Sequence, residues 1–142
     1  MREGGLSQDA VLFNFEDSVR PEAKKMLGEL HALGYKTTIL SGDQPQVAEK
    51  LANELSTIGI GGLSPQDKVN LVRKETHAAF IGDGLNDAGA IGAAQVGIAM
   101  GHGSDLIRSG ADVIVFDREL ERIPQTLKLA SKTMRIVKQN LF

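Results

Sequence analysis

The chain has 142 residues, with 16 lysines and arginines against 18 aspartates and glutamates, and no cysteine. That length suits one domain of ordinary size; a net charge of −2 argues against a nucleic-acid binder, and the lack of cysteine excludes disulfides and thiolate metal sites. No apolar run reaches the roughly 18 residues that span a bilayer, and the opening "MREGGLSQDA" has no signal-peptide core, so the expectation is a soluble, cytoplasmic chain.

Ala10–Phe15 ("AVLFNF") is short and rich in β-formers and is predicted as a strand. Pro21 opens a helix, where its missing N–H costs nothing. Met26, Leu27, Leu30 and Leu33 are expected to share its buried face, and Gly34 to stop it. Lys36–Leu40 is a second strand, followed by a helix to about Leu55 with Val47, Leu51 and Leu55 on one face. Ile58–Leu63 is a short, glycine-broken strand. Ser64, Pro65 and Asp67 then open a helix with a capping-box pattern. Ala78–Ile81 is a buried strand; the corner Gly82–Asp87 and a small-residue helix follow. Val96–Met100 and Val113–Phe116 are further strands. In the last stretch, 118–142, Leu120, Ile123, Leu127, Ala130, Met134, Val137 and Leu141 recur every three or four residues, the pattern of one long amphipathic helix. Its seam is expected to pack on the sheet, with Lys128, Lys132, Arg135 and Lys138 off that seam.

This alternation predicts an α/β fold over 1–142: one domain with a mostly parallel sheet and helices on both faces. Ligands of such sheets bind beyond the carboxyl ends of the strands. Ser41, Asp43, Asp83 and Asn86 all lie at or just past such ends and are expected to converge on one rim.

Three motifs carry chemistry there. In "GDGLND" (82–87), Gly82 and Gly84 allow a tight turn, and Asp83 offers the hard oxygens that magnesium selects. Asn86 can donate to a phosphoryl oxygen, and Asp87 can orient it or support the metal; the plain alternative is a capped turn with Asp87 as N-cap. The stretch is neither a dinucleotide fingerprint, since Asp87 stands where the third glycine belongs, nor a Walker loop. In "LSGD" (40–43), the Ser41 hydroxyl and the Gly42 N–H can hold a phosphoryl oxygen, or Ser41 or Asp43 simply caps the next helix. In "LSPQDK" (63–68), Lys68 can neutralise a phosphoryl group, or it is a solvated surface lysine. His31, His77 and His102 have no metal-ligand spacing.

Serine at one strand end, lysine at a helix start and aspartate at a later strand end, in that order, resemble the haloacid dehalogenase superfamily. The stretches "FEDSVRPEAKKMLGELHALGYKTTILSGDQPQVAEKLANEL", "LSPQDK", "GDGLNDAGAIGAAQVGIAMGHGSDLIRSGADVIVF" and "TMRIVKQNLF" are more closely similar to the C-terminal part of the phosphorylation domain of P-type cation-transporting ATPases, heavy-metal subgroup. The resemblance covers about residues 10 to 142. It implies a haloacid dehalogenase-like, Rossmannoid sheet, here incomplete and ending in a long amphipathic helix that leads toward a transmembrane segment. It also implies ATP and magnesium as cofactors, a cytoplasmic domain of a membrane-embedded protein, and an aspartate of a D-K-T-G-T motif that accepts the γ-phosphate. On that reading Asp83 binds magnesium with Asp87 in support; Ser41, Gly42, Lys68 and Asn86 hold the phosphoryl group; Asp43 links the loop to neighbouring domains. Ser41 replaces a usual threonine, Gly89 a proline and Ser18 a proline, and no D-K-T-G-T occurs.

The chain is therefore expected to be a piece of a transporter that makes no phosphoenzyme alone. Its implied partners are the rest of the phosphorylation domain and the nucleotide-binding, actuator and transmembrane domains. A missing first strand would leave a sheet edge open to self-association. Two other readings compete. One is a stand-alone phosphatase using Asp17, weakened by Val19 where a second aspartate belongs; the other is a non-enzymatic module binding through the basic tail.

Overall fold

The computed structural model describes residues 10–13, 21–83, 85–102, 109–116 and 119–141. Among the described residues six strands form one sheet: β1 (Ala10–Phe13), β2 (Lys36–Leu40), β3 (Ile58–Ile60), β4 (Ala78–Gly82), β5 (Val96–Gly101) and β6 (Val113–Phe116). Their order is β3-β2-β1-β4-β5-β6, and every pairing is parallel. Among the described residues the helices are α1 (Pro21–Ala32), α2 (Pro45–Glu54), α3 (Pro65–Lys74), α4 (Ala88–Ala93) and α5 (Arg122–Leu141).

Alternate strand residues feed two cores, as the two-residue period of a strand requires. Val11, Phe13, Ile39, Ile81 and Ile98 meet α1, the end of α2 and the start of α5 on one face. Leu12, Leu40, Phe80 and Ala99 meet α3 and α4 on the other. The predicted helices on both faces are therefore present. β1 fills the place between β2 and β4, so among the described residues the edge strands are β3 and β6. The strand order reverses at β1, which makes its carboxyl end the switch point of the sheet. No helix among the described residues is long and apolar enough to cross a membrane.

Three buried faces differ from expectation. In α1 the inner residues are Ala23, Met26, Leu27 and Leu30; Leu33 lies past the helix end and is 39% exposed. In α2 Ala48 and Ala52 face inward, with Leu55 buried just beyond the helix, while Val47 is 52% exposed. The reason is close approach: a Cβ on Gly59 of β3 would lie 2.7 Å from the Ala52 Cβ, so only small residues fit that face of α2. In α5 the seam packs on the sheet only at its start. Leu120 and Ile123 are buried and Leu127 is half-buried, but residues 128–140, Ala130, Met134 and Val137 included, are all exposed. A helix of 20 residues is about 30 Å long and overruns strands of at most six residues, about 20 Å each.

Candidate phosphate and metal corner

β4 ends at Gly82, and the chain turns at once. The Asp83 Oδ1 accepts the Leu85 backbone N–H at 3.1 Å, a side-chain-closed turn of the kind aspartate favours. Asp87 occupies the N-cap position of α4, yet its side chain makes no capping bond there. Its carboxylate is buried and pairs with the Lys68 ammonium, Nζ to Oδ1, at 3.1 Å. Gly82 makes room for this: a Cβ there would lie 2.8 Å from the Asp87 Cβ and 2.9 Å from its Oδ2. The plain reading of Asp87 as a helix cap is thus not what its side chain does. Nor is Lys68 a solvated surface lysine, since its side chain is only 8% exposed.

Lys68 reaches Asp87 from α3, which packs against α4. The start of α3 is the predicted capping box. The Ser64 hydroxyl accepts the Asp67 backbone N–H at 3.1 Å, and the Asp67 Oδ2 accepts the Ser64 N–H at 2.9 Å and the Ser64 hydroxyl at 2.7 Å. Pro65 stands in the first turn. The Ser64 hydroxyl, and then the Ser64 N–H, hold the Asp67 carboxyl below the usual carboxylate range.

Ser41 follows β2 and is buried. Its N–H donates to the Ile60 carbonyl at 2.9 Å, and its own carbonyl accepts the Leu63 N–H at 3.0 Å. Its hydroxyl accepts the Asp43 N–H at 3.0 Å and donates to the Asp43 Oδ2 at 3.2 Å. Neither residue caps α2, whose N-cap is Gln44, followed by Pro45. Gly42 and Asp43 are exposed at the rim, as is Asn86 on the other corner.

The register relates the two corners. Phe13 is level with Ile39 in β2 and Ile81 in β4, so Ser41 and Asp83 each lie two residues beyond that level, one on either side of β1. Two inter-strand spacings put their backbones about 10 Å apart. Of the residues singled out from sequence, Lys68 and Asp87 are in direct contact, Ser41 and Asp43 are in direct contact, and Asp83 with Asn86 completes the same edge. Asp17, Ser18 and Gly84 lie outside the described residues.

Among the described residues no group of three or more His, Cys, Asp or Glu could hold a metal ion. Magnesium needs no such cage: it takes one or two carboxylates and completes its shell with water and phosphate oxygens. The half-exposed Asp83 carboxylate, with Asp87 on the same turn, fits that requirement. His31 is used otherwise, bonding the Thr37 hydroxyl at 2.7 Å. A depression of about 430 Å³ lined by residues such as Pro45, Glu49, Asn53 and Ile58 sits at the β3 edge and holds none of the rim residues. Asp67, expected from the sequence as the third-position partner of Ser64 in the capping box, directly precedes Lys68.

Comparison with known proteins agrees with this layout. A family model described as haloacid dehalogenase-like hydrolase matches residues 4–95. The zinc-transporting ATPase of Bacillus subtilis (strain 168) is 40% identical over 139 residues, covering 94% of this chain and 22% of that protein. The zinc/cadmium/lead-transporting P-type ATPase of Shigella sonnei (strain Ss046) is 42% identical over 129 residues, 89% of this chain and 18% of that protein. A crystal structure of a zinc-transporting PIB-type ATPase superposes with a TM-score of 0.80 at 40% identity, over 89% of this chain and 21% of that one. The chain thus spans about a fifth of the length of these relatives. It is homologous to the haloacid dehalogenase-like part of heavy-metal P-type ATPases. A matched family model, a parallel sheet with helices on both faces and a polar rim at its switch point lead to one conclusion: this chain belongs to the haloacid dehalogenase-like hydrolases.

Proposed function

We propose that this chain supplies the magnesium- and phosphate-binding half of an aspartyl-phosphate site in an ATP-driven heavy-metal cation transporter. The observation that supports it most directly is the buried Lys68–Asp87 pair at the carboxyl rim of the sheet. A buried ammonium and carboxylate are costly to desolvate, and such a pair beside a ligand rim is the kind of preorganised charge that phosphoryl transfer needs.

In this reading Ser41, Gly42 and Asn86 hold phosphoryl oxygens with a hydroxyl, a backbone N–H and a side-chain amide. Lys68 sets positive charge against the transferring group, with Asp87 fixing its position. Asp83 is the metal carboxylate, with Asp87 in support. Magnesium, when bound, offsets the negative charge that builds on the phosphoryl oxygens. Asp43, bonded to Ser41, shapes the loop and faces neighbouring domains. The phosphate donor is ATP, and the aspartate that accepts it lies outside this chain. The partners are the nucleotide-binding, actuator and transmembrane parts of one long protein, this part on the cytoplasmic side. The stand-alone phosphatase and the non-enzymatic module are not favoured, because the relatives at about 40% identity are transporting ATPases.

Manganese(II), a paramagnetic stand-in for magnesium, tests the site. Titrated into the chain, it is expected to broaden the amide signals around Asp83, and Asp83→Asn to abolish the effect. Broadening centred on another part of the surface sinks the assignment. Incubation with labelled ATP is expected to leave the chain unlabelled; an acid-stable, hydroxylamine-sensitive phosphoprotein would show that the accepting aspartate is within it.

A further inference from the structure

We infer that Asp67 is a positioning residue for Lys68: its closed hydrogen-bond loop with Ser64 sets the first turn of α3 and thereby holds the Lys68 ammonium against Asp87. The inference rests on the phosphate-site reading only for its purpose, because the positioning itself is a property of the unliganded chain.

Three observations carry it. First, the loop is closed on both sides. Ser64 accepts from the Asp67 N–H and donates twice to the Asp67 Oδ2, with bonds of 2.7–3.1 Å. Second, Lys68 is the next residue, and its own N–H closes the first helical bond, to the Ser64 carbonyl at 3.1 Å. The turn that Asp67 ties is therefore the turn that carries the lysine. Third, α3 has few anchors besides its cap: Leu63, just before Ser64, packs in the second core and donates its N–H to the Ser41 carbonyl at 3.0 Å. Val72, two turns along from the cap, is its only fully buried apolar residue, and Val69 and Leu71 are half-buried. A helix with so little apolar burial of its own relies on its capping box, together with Leu63, for the placement of its first turn. The ammonium it must place is nine-tenths buried and has to meet a carboxylate on another helix, a geometry that tolerates little displacement.

Asp67 itself is exposed to solvent on the outer side of the turn. Among the described residues its side chain bonds only Ser64, so it acts on the rim through the α3 backbone and Lys68.

The test reads Lys68 directly in the full chain, by competitive acetylation with acetic anhydride and mass spectrometry. In the wild type the buried, paired amine is expected to react more slowly than the exposed Lys74 at the far end of the same helix. Asp67→Ala leaves the Ser64 cap in place and removes only the return half of the capping box; it is expected to raise Lys68 acetylation about twofold, the low end of capping effects, with Lys74 unchanged. Asp67→Glu keeps a carboxylate at the third helical position and is expected to restore the slow rate. Amide hydrogen exchange of β4, measured alongside, is expected to stay at the wild-type level. Unchanged Lys68 reactivity in Asp67→Ala overturns the inference. So does a rise in reactivity accompanied by faster β4 exchange, which would mean general loosening of the fold. Because no metal or nucleotide is present, these outcomes are independent of the manganese and ATP experiments that test the site reading.

Discussion

Lys68 meets Asp87 at 3.1 Å and Lys25 meets Glu121 at 3.2 Å. The distances are nearly equal, and the surroundings are not. The first pair has side chains 8% and 0% exposed, enclosed between α3 and the β4–α4 corner. The second has side chains 61% and 52% exposed and joins α1 to the residue before α5 across open solvent. Water screens the outer pair and leaves it little net effect on stability. At the inner pair, desolvation makes the Lys68 ammonium a liability without the Asp87 carboxylate. What separates the two pairs is burial: only the inner one is taken out of water by the packing around it.

The largest expected effect comes from breaking the inner pair on one side. Asp87→Ala is expected to cost about 3–5 kcal/mol in urea denaturation, because the Lys68 ammonium is left buried without its carboxylate, and Lys68→Ala is expected to destabilise as well. The double change Lys68→Met with Asp87→Leu is expected to recover most of that loss while abolishing manganese broadening near Asp83 if Asp87 supports the metal. A double variant as unstable as the single ones would show that the pair is integral to the fold.

Next is Gly82→Ala. The added methyl would meet the Asp87 side chain, and overpacking of this kind costs about 1–3 kcal/mol. Stability unchanged from wild type would mean that Asp87 can step aside, and the contact would be less constrained than its geometry indicates.

A smaller effect follows from Asp67, whose carboxyl is held below the usual range by the Ser64 hydroxyl and N–H. A carboxyl with a depressed folded-state pKa contributes stability at pH values above its unfolded pKa. That contribution is lost as pH falls through the folded value. The protection factor of amides in the first turn of α3, the ratio of intrinsic to observed exchange, is therefore expected to hold through neutral pH and to fall only in acid, below the ordinary aspartate range. In Asp67→Ala that protection should be low throughout, with no such acid step. The smallest effect is at the outer pair: Lys25→Ala with Glu121→Ala is expected to leave the denaturation midpoint within error. A clear drop there would erase the contrast between the two pairs.

Much of the fold was legible in the chain because its signals are local. Short β-rich runs alternate with helix starts marked by proline and, at Ser64, by a full capping box, and the alternation itself calls for parallel strands with helices on both faces. The rim residues were legible because they sit where strands end. The inner faces of α1 and α2 were less so. Periodicity nominated Leu33 and Val47, but Leu33 falls past the helix end, and the bare backbone of Gly59 admits Ala52 and Ala48 rather than a larger side chain. The apolar seam of α5 was visible to its end, yet only its start finds a sheet to cover it.

By itself, the sequence determined which residues could serve a phosphate and a hard cation, and in what order along the chain. It left open whether Asp87 caps a helix, whether Lys68 is solvated and whether Ser41 or Asp43 caps α2. The tertiary structure decided all three. Parallel strands on either side of β1 carry Ser41 and Asp83 to the same edge. Helix α3 lies close enough to α4 for an ammonium and a carboxylate nineteen positions apart to meet out of water. That contact depends on the absence of a Cβ at Gly82 and on where α3 begins, which are properties of the packed molecule that no spacing along the chain encodes.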